Sequence, residues 1–73
     1  MSNANQQFIS FLGKKIKAER EKLGLTQEGL GKKLKMHRTY VGMVERGEKN
    51  ISVVSLRRFA EALGLTLRDI IDF

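Results

Sequence analysis

The 73-residue chain reads as all-α, a compact five-helix bundle in one domain spanning residues 1–73. Three observations predict this. Apolar residues recur at three- and four-residue spacing and nowhere alternate long enough for a strand. Thr26, Ser52 and Thr66 stand where periodic segments begin, and Gly24, Gly47 and Gly64 stand where they end. No proline interrupts the chain. The opening residues 1–4 read as a cloning remnant and stay outside the fold argument.

The first helix is expected from about Asn5 to Leu23. Phe8, Leu12 and Ile16 repeat every four residues, and Ile9, Phe11 and Leu23 widen that stripe. Gly24 suits a left-handed stop. Thr26 caps the second helix, Glu28 in its first turn favours the positive end of the dipole, and the helix closes near Leu34. Leu30 and Leu34, then Val41 and Val44, form two short apolar stripes. The gap between them leaves room only for a tight turn, so residues 26–46 form two steeply crossing helices. The third helix starts after His37 and ends before Gly47. A polar loop, Glu48 to Ile51, leads to the Ser52 cap of a fourth helix with Leu56, Phe59, Ala60 and Leu63 inward. Thr66 and Asp69, three apart, resemble a capping box opening a fifth helix that carries Leu67, Ile70 and Ile71.

The net charge is +6 and the isoelectric point about 10.1. The whole excess lies in residues 1–50, while acids and bases balance in residues 51–73. Clustered base at such a pI is the electrostatic footprint of a nucleic-acid binder. The absence of cysteine excludes disulfides and thiolate metal sites and permits a reducing cytoplasm. No apolar run approaches the ~18 residues of a membrane span, and no secretory signal is visible. An enzyme is disfavoured: there is one histidine, no Gly-rich phosphate loop and no paired carboxylates at metal spacing. No cofactor, metal or small-molecule ligand is expected.

On a helical wheel with Arg38 at zero, Gly42, Arg46, Thr39 and Met43 fall at about 40°, 80°, 100° and 140°. Val44 and Val41 fall on the opposite side, at about 240° and 300°, with Tyr40 at the border near 200°. One side of the third helix therefore packs inward and the other is free. Arginine can bond guanine bidentately, and threonine or methionine can touch a thymine methyl. Gly42 would let the helix backbone approach a ligand closely. Met43 also suits a contact with a neighbouring chain. His37 lacks a second metal ligand and reads as a weak cap or a phosphate contact.

The segments LGLTQEGLGKKL, HRTYVGMVERG and NISVVSLRRFAEALGL, at residues 23–34, 37–47 and 50–65, carry a family resemblance. Together they resemble the Cro/phage-repressor (Xre-type) helix–turn–helix family over about residues 12–71. Within it, the chain is similar to the controller proteins of restriction–modification systems. The resemblance implies a lambda-repressor-like DNA-binding domain that binds a pseudo-palindromic double-stranded operator as a homodimer and regulates transcription in the cytoplasm, on the nucleoid. Carried over by position, Thr26 and Gln27 anchor the second helix on phosphates. Arg38, Thr39, Tyr40 and Met43 hold base-reading or groove positions, and Arg46, Lys49 and Asn50 contact the adjacent backbone. Arg20 and Glu45 match a structural salt bridge. Three positions depart from the family pattern. Lys35 replaces a turn glycine, His37 replaces an Asp or Ser cap, and Gly29, together with Gly31, makes the second helix intrinsically poor.

The neutral C-terminal half carries more apolar surface than one subunit can bury. Val53, Val54, Leu67, Ile71 and Phe73 form the expected dimer interface. A protein-interaction module of the antitoxin or co-regulator kind, its free face on an acidic partner, stays open as an alternative.

Overall fold

A computed structural model describes residues 4–72. Five helices follow in order: α1 (Ala4–Lys22), α2 (Gln27–Leu34), α3 (Arg38–Glu45), α4 (Val53–Ala62) and α5 (Leu67–Ile71). Among the described residues there is no strand. The caps explain why the boundaries fall where the sequence places them. The Thr26 hydroxyl accepts from the Gly29 N–H at 2.9 Å, and Ser52 accepts from Ser55 at 3.0 Å. Thr66 and Asp69 exchange both bonds of a capping box, at 3.2 and 2.9 Å. That exchange holds the Asp69 carboxyl below its ordinary range, because the Thr66 backbone N–H binds its charged form.

The core is one cluster: Leu12 and Ile16 of α1, Leu30 and Leu34 of α2, Val41 and Val44 of α3, Leu56, Phe59 and Ala60 of α4, then Leu63 and Ile70. Phe59 is fully buried at its centre, and the Tyr40 ring lies 6.4 Å from it, centroid to centroid. The carboxyl ends of α2 and α4 are tied together. Arg58 donates to the Leu34 carbonyl, and the Lys33 ammonium reaches the Ala62 carbonyl at 3.5 Å.

The expected stripe on α1 is too wide. Leu12 and Ile16 are buried, but Phe8, Phe11 and Leu23 are about half exposed. The reason is the company α1 keeps. It packs on α3 and α5, so the core-facing side holds Leu12 and Ile16, and the α3-facing side holds Gly13 and Arg20 instead of large apolar groups. His37 does cap α3, its Nδ1 accepting the Thr39 N–H at 3.0 Å. The reading of Gly31 needs a correction. Gly31 is required by the fold despite its poor helix propensity. A Cβ there would stand 2.6 Å from the Met36 carbonyl oxygen, which passes directly over it in the α2–α3 turn.

Helices α1, α3 and α4 are followed by Gly24, Gly47 and Gly64, all at positive φ. Helix α2 instead closes on Lys35 at φ 59°, ψ 42°. A residue with a Cβ is strained there by roughly 1 kcal/mol. Lys35→Gly is therefore expected to stabilise the domain by up to about 1 kcal/mol, raising the melting temperature by several degrees in calorimetry. A lowered melting temperature would rule the strain out.

Candidate nucleic-acid interface

The start of α2, the outer side of α3 and the loop after it form one surface. Arg20 organises it from below. Its Nε and Nη2 donate to the two carboxylate oxygens of Glu45 at 2.7 and 3.0 Å, and its Nη1 donates to the Leu25 carbonyl at 2.7 Å. Both residues are buried. The fork-on-carboxylate hydrogen bonds raise the Arg20 pKa above its ordinary value. Gln27 joins the same group, its Nε2 donating to Glu45 Oε1 at 3.1 Å. The Arg20–Glu45 pair thus ties α1, the α1–α2 turn, the first residue of α2 and the last residue of α3. No buried side-chain nitrogen or oxygen among the described residues lacks a hydrogen-bond partner.

Above this support, Arg38 projects from the first position of α3 with 64% of its side chain exposed, and Thr39 beside it is also exposed. Met43 is half-buried one turn on. Tyr40 is half-buried against the core, so its ring packs inward and only part of it faces out. Gly42 is buried, contrary to the expectation of an open backbone. A Cβ there would meet Arg46 Nη1 at 3.0 Å and the Gln27 amide at 3.4 and 3.5 Å. The missing side chain leaves room for the ends of two of the protein's own side chains, Gln27 and Arg46, which lie over the Gly42 backbone.

Two candidate arginines each stand beside a carboxylate. Arg46 donates to Glu48 at 2.8 and 3.3 Å, and Arg38 reaches Glu28 at 3.5 Å. The Arg46 hydrogen bonds hold the Glu48 carboxyl below its ordinary range. Water screens such exposed pairs, so either arginine can exchange its carboxylate for a phosphate or a base at little cost. The sequence reading did not place Glu48 here, although its two-residue spacing from Arg46 was visible. Lys49 and Asn50 are exposed in the following loop.

An apolar groove of about 240 Å³ opens between α1, the end of α3 with the loop after it, α4 and α5. Val53, Leu67 and Ile71 line it, together with Phe8 and Ile51. Val53 and Val54 are 68% and 63% exposed, while Leu67 is half-buried against its own core. Phe73, expected with this group, lies outside the described residues. Lys49 and Asn50 also line the groove, so it borders the basic surface. Among the described residues, no three His, Cys, Asp or Glu side chains cluster as a metal site would require, and no helix is long and apolar enough to cross a membrane.

A Helix-turn-helix family model (HTH_3) matches residues 16–70, a span holding the buried network, both helices of the motif and the α4–α5 half. The chain belongs to the Xre-type helix–turn–helix family. This helix–turn–helix protein is 36% identical over 62 residues to Control protein C.MunI from Mycoplasma sp, a match covering 85% of this chain and 84% of that one. Its fold is similar to the crystal structure of the restriction–modification controller protein C.AhdI from Aeromonas hydrophila. The TM-score there is 0.81 at 35% identity, over 85% of this chain and 94% of that one. The hypothetical transcription factor NHTF from Neisseria is similar too, with a TM-score of 0.85 at 28% identity over 97% of this chain and 82% of that one.

Removing one partner of a buried pair leaves the other charge uncompensated. Arg20→Ala is expected to destabilise the domain by about 3–5 kcal/mol, seen as a lowered urea midpoint with unchanged slope. A loss below about 1 kcal/mol would mean that Glu45 finds water or another donor.

Proposed function

We propose that the chain is a sequence-specific DNA-binding transcription regulator, a controller of the restriction–modification type that binds a pseudo-palindromic operator as a homodimer. The observation that carries this is the uncovered outer side of α3. Arg38, held only by an exposed pair with Glu28, and Thr39 face solvent there at the start of a helix that a major groove is wide enough to admit. The buried Arg20–Glu45–Gln27 group supports that helix from behind. The likeness to C.MunI and C.AhdI supports the controller type.

In this mechanism phosphate contacts position the protein and base contacts select the site. Thr26 and Gln27 lie at the amino end of α2, where backbone N–H groups and the dipole favour a phosphate. Arg46, Lys49 and Asn50 grip the backbone on the far side of α3. Arg38, Thr39 and Met43 read base edges, with Tyr40 packing at their border. Val53, Val54, Leu67, Ile71 and Phe73 join two subunits so that the two recognition helices stand about 34 Å apart, one turn of DNA. The exposure of Val53 and Val54 on a charge-neutral half supports that interface.

Selection of bound duplexes from a random pool tests this directly. A two-fold symmetric motif is expected. Enrichment of no motif, or sedimentation as monomer only at high micromolar concentration, would defeat the dimeric reader. On the selected operator, Arg38→Ala is expected to weaken binding by roughly 1–3 kcal/mol and to relax preference at one base position. Lys49→Ala should weaken operator and random DNA alike and reduce the slope of log K against log salt by about 0.9. Equal losses on both DNAs for Arg38→Ala would remove its base-reading role.

A further inference from the structure

Gly13 lies in the interior of α1, away from any turn, and is not among the positive-φ residues. Interior helix positions favour alanine over glycine, so its presence there has another cause. A Cβ at this position would stand 2.5 Å from the carbonyl oxygens of both Val44 and Glu45, at the end of α3. Ordinary contact begins at 3.4 Å, so a single methyl would force the two helices about 1 Å apart. The obstructing atoms are backbone and cannot rotate aside. Ser10 and Gln6 precede Gly13 on the same face of α1. A Cβ on Gly47 would meet Ser10 Oγ at 3.0 Å and its Cα at 3.2 Å, and Gln6 Nε2 donates to the Gly47 carbonyl at 3.2 Å. The Gln6–Ser10–Gly13 face is a close-fitting seat for the carboxyl end of α3.

We infer that Gly13 is a positioning residue for sequence reading. Its missing side chain lets α1 hold the recognition helix at the height and tilt from which Arg38, Thr39 and Met43 reach base edges. The inference rests on the base-reading role proposed for α3. The helix spans eight residues, or about 12 Å, so a displacement at one end tilts all of it. Hydrogen bonds to base edges hold only within a few tenths of an ångström. Long, flexible cations such as Lys49 can follow a phosphate through a shift of that size. Gly13 therefore governs selectivity more than total affinity.

The test compares wild type, Gly13→Ala and Leu63→Ala on the selected operator and on a random duplex at one salt concentration. Leu63→Ala is the control for lost stability, because Leu63 is buried at the end of α4, outside the α1–α3 contact. Residual dipolar couplings of the α3 amides, measured in the free protein relative to α1, report the tilt. Gly13→Ala is expected to lower the operator-to-random affinity ratio about tenfold or more, the loss of one base contact, with random-duplex affinity within about twofold of wild type. The α3 couplings should move, while Leu63→Ala, below its melting temperature, changes neither ratio nor tilt. Ser10→Leu presses on Gly47 from a half-buried position and should shift both readouts the same way by less. It decides the matter should Gly13→Ala not fold. An unchanged ratio with unmoved couplings in the folded variant overturns the inference while base reading stands. A wild-type protein that binds both duplexes alike overturns base reading, and this inference with it, whatever the couplings show.

Discussion

The carboxylate of Glu45 is the point at which the parts of this domain meet. It ends α3, accepts two hydrogen bonds from Arg20 of α1 and one from Gln27 of α2, and is almost wholly removed from water. A charge in that position is tolerated only because the donors are aimed at it. The same bonds fix the crossing of α1 and α3 and the entry to α2. The arrangement carries little net stability relative to an apolar replacement of the same shape, but removal of either partner would leave a buried charge uncompensated.

Glycine does the complementary work. Gly13 and Gly31 each sit under a backbone carbonyl at a separation no side chain would allow, and Gly42 leaves space for Gln27 and Arg46. All three lower local helix propensity, and all three bring elements of the motif closer together. In a chain of 73 residues, where the core is small, tertiary packing rather than propensity holds α2 and α3 in helical form.

The two parts of the molecule differ in the character of their surfaces. Residues 1–50 carry the whole charge excess and the exposed arginines at the two ends of α3, Arg38 and Arg46. Residues 51–73 carry balanced charge and the exposed valines of α4. The loop holding Lys49 and Asn50 belongs to both, facing solvent after α3 while lining the apolar groove. A second subunit seated on that groove would lie next to the same loop.

Much was legible without coordinates because the signals are local. Hydroxyl caps at Thr26, Ser52 and Thr66, the glycines that close helices, and the opposed valine and arginine sides of α3 follow from bonds and periodicities within a few residues of one another. The five helices and the exposure of Arg38 and Thr39 were readable on that basis, and the Arg20–Glu45 pair through family likeness. Which apolar residues of α1 face inward was not, since Phe8 and Phe11 share the period of Leu12 and Ile16 and differ only in what lies opposite. The roles of Gly13, Gly31 and Gly42 were hidden for the same reason. An interior glycine signals close approach, but its partner stands on another helix, and the separation between two helices is not written at either one. The sequence by itself determined the elements and the chemistry of their faces. Only the tertiary structure decided which faces meet and how closely, because that depends on steric fit between residues as far apart as Gly13 and Glu45.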